Sequence, residues 1–224
     1  FDALLEVLIA VERPDRSDIQ QQAEQQLKSW ETERGFHYLL QEIYLKTDLH
    51  LQVRWIAIIC FKNGVEKYWR ASRTHAISKD EKAQIRSRVF DLLDEKNAKL
   101  AIQNAHAVAR IVRFDFPAEW PDLFDHLSKN LESFVFVKNN LIAANNLLVI
   151  LNQIVKAVAM VRIGRARHAF QSKAPLLLPV LVKLYLKLFH MWTTSQDLTV
   201  MEICYMCLKN LRRVIPEGFE QPHK

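Results

Sequence analysis

Trp55-Ile-Ala-Ile-Ile-Cys-Phe61 is seven apolar residues in a row. The surrounding pattern predicts a helix over about His50–Tyr68, and polar residues return only at Lys62, Asn63, Glu66 and Lys67, before Trp69. A helix that is apolar nearly all round must be covered on several sides. Neighbouring helices stacked on both sides would do this, so the stretch predicts a stack of helices.

The rest of the chain has the same organisation, with apolar helical segments arriving in pairs. The first pair is expected over Asp2–Val11 and Ser17–Glu33, broken at Pro14 and Asp15. Its second helix puts Ile19, Ala23, Leu27 and Trp30 on one stripe, and Gly35 is expected as its C-cap residue. The next pair opens with Phe36–Lys46, whose stripe is Leu39, Leu40, Ile43 and Tyr44. Ser78-Lys-Asp-Glu81 fits a capping box, in which the serine caps the first turn and the glutamate reaches back. Ile85, Val89, Leu92 and Leu93 follow it, and a helix over Ala98–Arg113 aligns Ala101, Ala105, Val108 and Val112. In Asp115-Phe-Pro-Ala-Glu-Trp-Pro-Asp-Leu123, Pro117 biases Phe116 away from helix and ends the third pair. Trp120 then makes a fixed aromatic joint. The fourth pair is expected over Pro121–Ser133 and Lys138–Val161, and the fifth over Pro175–Thr193 and Asp197–Val214, stopped by Pro216 and Gly218.

The pairs begin near Phe1, Phe36, Ser78, Pro121 and Pro175, at spacings of 35, 42, 43 and 54 residues. Two helices per unit at about 40–47 residues is the period of a HEAT-type α-solenoid. The predicted fold is therefore all-α, a HEAT-type (armadillo-like) superhelix of about five hairpins. Such repeats build extended binding surfaces, so the functional question is what binds.

Composition narrows the answer. The 224 residues include only four glycines, and neither G-x-x-x-x-G-K-[ST] nor G-x-G-x-x-G occurs. Three cysteines do not make a disulfide framework, and a reducing compartment is expected. Asn139–Val155 is uncharged, but six amides in it fit hydrocarbon poorly, so no membrane insertion is expected. No basic stretch precedes the apolar Phe1–Val11, and the chain reads as a piece of a longer one. No catalytic constellation, cofactor motif or metal site is expected. Cys204-x-x-Cys207 lacks a second cysteine pair or an adjacent histidine and reads as two small core residues one turn apart. His106 has no carboxylate at i±3 or i±4 and reads as a satisfied core histidine.

The net charge of +6 permits an acidic partner. The most basic stretch is the connector carrying Arg162, Arg165, Arg167 and Lys173, together with His168. It reads as a solvated loop, as a clamp for an acidic partner, or as a nucleic-acid patch. Apart from Phe170 it lacks the aromatic interleaving of a nucleic-acid face, so nucleic acid is not the expected partner.

Ala23-Glu-Gln-Gln-Leu-Lys-Ser-Trp30, Gly35-Phe36, Val53-Arg-Trp-Ile-Ala57, Phe61-Lys-Asn63 and Tyr68-Trp69 occur in that order. Together they resemble the N-terminal region of the importin-β (karyopherin-β) transport receptors. The Asp115–Leu123 joint is similar to that family's joint after its third repeat. Asn210-Leu-Arg-Arg213, Gly218-Phe219 and Glu220–Lys224 resemble its importin-eleven branch. The resemblance divides the chain into an importin N-terminal-like region over 1–114 and two further repeats over 115–224. It implies a nuclear import receptor that shuttles between cytoplasm and nucleus, with Ran-GTP, protein cargo and nuclear pore proteins as partners. It further implies that Ran-GTP binding on the face lined by second helices expels cargo, with Arg54, Lys62, Asn63, Glu66 and Gln103 facing Ran. On the residues alone, Arg54 and Asn63 could instead brace neighbouring helices, and a protein scaffold without GTPase dependence or an RNA-binding solenoid stays open. The chain departs from the family in being basic where these receptors are usually acidic.

Overall fold

Helices are the only regular structure among the described residues of the computed structural model, which are 1–12, 17–159 and 164–219. The expected breakers Pro14 and Asp15, the basic residue Arg162 and the closing Glu220–Lys224 lie outside them. The chain forms two units, Phe1–Leu92 and Leu93–Lys224. Helix 98–115 therefore belongs to the second unit, whereas its pairing with the Ser78 segment placed it in the first part of the chain.

In the first unit α1 (Asp2–Glu12) pairs with α2 (Ser17–Trp30), and α3 (Phe36–Leu45) pairs with α4 (Leu51–Tyr68). The short α5 (Lys79–Ser87) packs on α3, and α1 also packs on α4. The apolar middle of α4 buries Val53, Ala57, Ile58, Phe61 and Val65, with α1 on one side and α3 on another. Ala23 and Leu27 are the buried positions of α2, as its stripe predicts. After α5 the chain continues in turns closed three residues back, from Arg88 to Ile85 and from Asp91 to Arg88. These keep Val89, Leu92 and Leu93 buried on the expected stripe.

Two contacts fix how α3 sits. Gly35 is not the cap that ends α2; it precedes α3 with φ at 82°, a left-handed value that favours glycine. The Ser78 hydroxyl accepts from the Glu81 amide at 3.3 Å, which is half of the expected capping box. The Glu81 carboxylate makes its bonds elsewhere. It accepts from the amides of Gly35 (3.0 Å) and Tyr38 (3.1 Å), and so caps α3 instead. Further along, His37 lies against Gly64 of α4. A Cβ at position 64 would collide with the imidazole Nε2, so only glycine allows the close approach.

In the second unit α6 (Ala98–Asp115), α8 (Leu141–Ala159) and α10 (Leu198–Gly218) pack side by side in that order. Helices α7 (Leu123–Glu132) and α9 (Arg165–Ser195) pack on each other beside them. Asn97 and Asp197 cap α6 and α10, their side chains accepting from Leu100 (3.1 Å) and Thr199 (2.8 Å). Ala101 and Ala105 of α6 and Ala143 and Ala144 of α8 are buried, and small residues of this kind let the two helices approach closely. Trp120 is buried in the bend after α6, and Phe116 meets Phe124 edge-on at 5.1 Å. Helix α7 runs into one π-helical turn, Ser133–Val137, before α8.

Pro175, Pro179 and Pro216 do not break the helices as their type predicts. Helix α9 starts at Arg165 and continues through Pro175 and Pro179, and α10 includes Pro216. Each interior proline costs about 3 kcal/mol through its missing N–H. The three prolines face solvent. Phe170, Ala174, Leu177, Leu181, Leu184 and Leu188 form one unbroken buried stripe along α9, and each buried leucine returns about 1.5–3 kcal/mol. The stripe therefore outweighs the breaks.

Buried amides tie successive hairpins together. Gln41 Nε2 donates to the Ile85 carbonyl at 3.0 Å. Asn146 Nδ2 donates to Leu93 and Glu95, both at 2.8 Å. Asn210 Nδ2 donates to Leu148 of α8 at 3.0 Å and to Met206 at 2.9 Å. Leu141–Ala159 and Arg165–Ser195 are long and apolar enough to cross a bilayer. In this fold the first of them is the middle helix of its row, and its Asn146 bonds inside the unit.

Candidate functional site

The residues singled out on α4 separate into two groups. Val53, Ala57, Ile58, Phe61, Gly64 and Val65 define the inward side of that helix. At 100° per residue, Asn63 and Glu66 fall on the opposite side, with Gln52 and Ile59, and Lys62 lies at its edge. Burial agrees: Asn63 and Glu66 are exposed and Lys62 is half-buried. Arg54 points inward. It is 5% exposed, and its Nε donates to the Tyr44 carbonyl at the end of α3 at 3.0 Å. Arg54 is therefore a brace inside the α3–α4 hairpin, the second of the two roles the sequence left open. Gln103 is half-buried on α6, in the other unit.

Beside the exposed end of α4, Glu31 gathers donors. Lys67 Nζ approaches it at 2.8 Å and the Tyr68 hydroxyl donates to it at 3.0 Å. Hydrogen bonding to Glu31 raises the Lys67 ammonium above its usual range, while burial and then Glu31 raise the Tyr68 phenol. Under this cluster His37 is held neutral. Burial lowers its imidazole to about 4, Glu31 opposing the shift and Lys67 adding to it.

The described part of the basic connector is not a loop. From Arg165 onward it is the first turns of α9. Arg165 is exposed. Arg167 pairs with Glu217 at 3.3 Å and Lys173 with Asp125 at 2.7 Å, so two of its cations already have acidic partners within the unit. Cys204 and Cys207 are both buried, and the Cys207 thiol donates to the Leu181 carbonyl at 3.3 Å. Among the described residues no group of three or more His, Cys, Asp and Glu could hold a metal. A basic cluster that the sequence did not single out lies on α10 instead. Lys209, Arg212 and Arg213 stand at i, i+3 and i+4, a spacing that puts them on neighbouring turns of one face.

A model of the importin-beta N-terminal domain matches residues 23–95. Over 98% of its length the chain is 52% identical to the importin beta-like protein KAP120 of Saccharomyces cerevisiae, of which it covers 22%. The chain belongs to the importin-β family. Importin-11 of Homo sapiens is 30% identical over 90% of this chain, which covers 21% of that relative. Among solved structures, Lph2 of S. cerevisiae, described as a bidirectional nuclear transport receptor, superposes with a TM-score of 0.87 at 51% identity. That superposition takes in 96% of this chain and 21% of Lph2. The chain thus spans about a fifth of the length of these relatives. The relatives are nuclear transport receptors, and the importin-11 branch is among them, as the quoted motifs implied. Residues 23–95 run from α2 to just beyond Leu92, so the matched domain covers most of the first unit.

Proposed function

We propose that this chain is the part of a nuclear transport receptor that binds Ran in its GTP form and couples that binding to cargo release. The match of residues 23–95 to the importin-beta N-terminal domain carries the reading. In the proposal the Ran-facing region runs through residues 1–114. Asn63 and Glu66, with Lys62 at the edge, supply contacts from the exposed side of α4, and Gln103 supplies a further one. Arg54 acts as a positioning residue that holds α4 on α3. The chain works by binding and performs no chemistry of its own. The whole receptor carries protein cargo, meets nuclear pore proteins and shuttles between cytoplasm and nucleus.

A GTPase-dependent receptor separates Ran-GTP from Ran-GDP, and a scaffold does not. Titration of the intact protein with each form is expected to give at least tenfold tighter binding of the GTP form, a difference of about 1.4 kcal/mol. Equal affinities would remove the proposal in favour of the scaffold. Import is the direction proposed. A cargo released by Ran-GTP fits import, and a cargo that binds only together with Ran-GTP would reverse that part of the reading.

A further inference from the structure

Helices α8 and α10 pack together, and an open cavity of about 450 Å³ lies between them, lined by Asn152, Lys209, Arg212, Arg213, Pro216 and Glu217. Its chemistry is one-sided. Three of the six described lining residues are cations, and two buried donors in it, Asn152 Nδ2 and Arg213 Nε, have no hydrogen-bond partner among the described residues. Native folds seldom leave buried donors unmade, and here two occur in one cavity. Among the described lining residues Glu217 is the one acidic side chain, and Arg167 holds it at 3.3 Å, so its charge is already answered.

The donors suit a carboxylate. A carboxylate has two oxygens, and an arginine presents its N–H groups as a fork that matches them. Lys209 and Arg212, both exposed, flank Arg213 on the same face and can hold a second acid one or two residues along a chain. Among the described lining residues there is no aromatic ring on which a base could stack. We propose that the cleft between α8 and α10 binds an acidic polypeptide segment of a partner protein. One carboxylate sits between Arg213 Nε and the Asn152 amide, and a second is held by Lys209 and Arg212 at the rim. This site is independent of nucleotide state and stands or falls apart from Ran binding.

The test uses a fluorescein-labelled ten-residue polyglutamate peptide, titrated by anisotropy into the intact chain at low salt without any GTPase. Replacing Arg213→Gln is expected to weaken binding about tenfold, and Arg212→Gln or Lys209→Gln about threefold each. Lys28→Gln, an exposed cation in the first unit, is expected to leave it unchanged. Should Arg213→Gln lower the melting temperature, the exposed Arg212→Gln and Lys209→Gln changes combined carry the test, with a tenfold loss expected. Binding by that double variant within twofold of the unaltered protein overturns the proposal. A labelled ten-nucleotide oligouridylate forms the second arm. Tighter binding of the oligonucleotide than of the peptide, lost in the same variants, overturns the assignment to an acidic polypeptide.

Discussion

The carboxylate of Glu81, at the start of α5, accepts the backbone amide of Gly35 at 3.0 Å and so caps a helix 46 residues earlier in the chain. Its other oxygen takes the Tyr38 amide at 3.1 Å. The side chain is only 6% exposed, so both bonds are sheltered from water. Bonds to a charged group contribute about 1.5–3 kcal/mol each in such settings, and the negative charge also meets the positive end of α3. Glu81→Ala is expected to destabilise the first unit by about 2–4 kcal/mol. Glu81→Gln, which keeps one acceptor oxygen, is expected to lose about half of that. Urea midpoints at constant m-value measure both.

His37 makes the fold pH-sensitive. Its imidazole titrates near 4 in the folded chain, because burial disfavours the cation, against 6.5 when exposed. The unfolded chain therefore binds the proton first. The stabilisation is complete above pH 6.5 and is lost progressively as pH falls towards 4, by about 3 kcal/mol in all. An NMR titration of the His37 ring protons should give a midpoint near 4. A midpoint near 6.5 would show the ring to be solvated.

Gly64→Ala should be severe for an alanine substitution inside a helix, where propensity alone favours alanine. The added methyl would run into the His37 ring, and the ring is enclosed by Phe36 and Tyr68. A loss of about 1–3 kcal/mol is expected from overpacking. Because the two sites touch, His37→Ala should recover part of the loss in a double-mutant cycle. Additive effects would count against the contact.

Asn210→Ala is expected to cost about 0.5–1.5 kcal/mol by removing the buried side-chain bond from α10 to the Leu148 carbonyl of α8. Amide exchange should then accelerate in α10 and α8 together. Exchange raised in α10 alone would mean that Asn210 acts only within its own helix, through Met206.

Arg54 and Asn63 should fail in different ways. Arg54→Ala removes a buried donor from the Tyr44 carbonyl and is expected to lower the melting temperature, with any loss of Ran affinity following from that. Asn63→Ala, on the exposed side of α4, is expected to leave the melting temperature within a degree or two and to weaken Ran-GTP binding about threefold. Calorimetry and titration on the same samples separate the two effects.

Periodicity locates the helices well where the stripe is clean. The starts of α1 and α3, the whole of α4 and the cap Ser78 follow from local rules. The rules fail where a tertiary term exceeds a local one. Pro175, Pro179 and Pro216 are breakers by propensity, but the leucine stripe of α9 and the packing of α10 on α9 carry the helices through them. Glu81 looks like half of its own capping box, since sequence shows that a carboxylate is near an N-terminus without showing which one. At the candidate site, the order of motifs between Ala23 and Trp69 is legible at the level of the family. Arg54 is not, because a long side chain beside an apolar run can point either way. The donors of α10 are visible as Asn210-Leu-Arg-Arg213, but no residue-level rule says that Asn152, some sixty residues earlier, faces the same cavity.

The thiols of Cys204 and Cys207 have one more use. Both are buried, Cys207 completely, and burial lifts the Cys207 thiol to about 12 and raises the Cys204 thiol as well. Alkylating reagents react with the thiolate, so neither sulfur should be modified while α10 lies on α9. The pair is then a built-in chemical clock: the pace at which a small iodoacetamide takes up these positions reports how often that hairpin opens, and needs no introduced label.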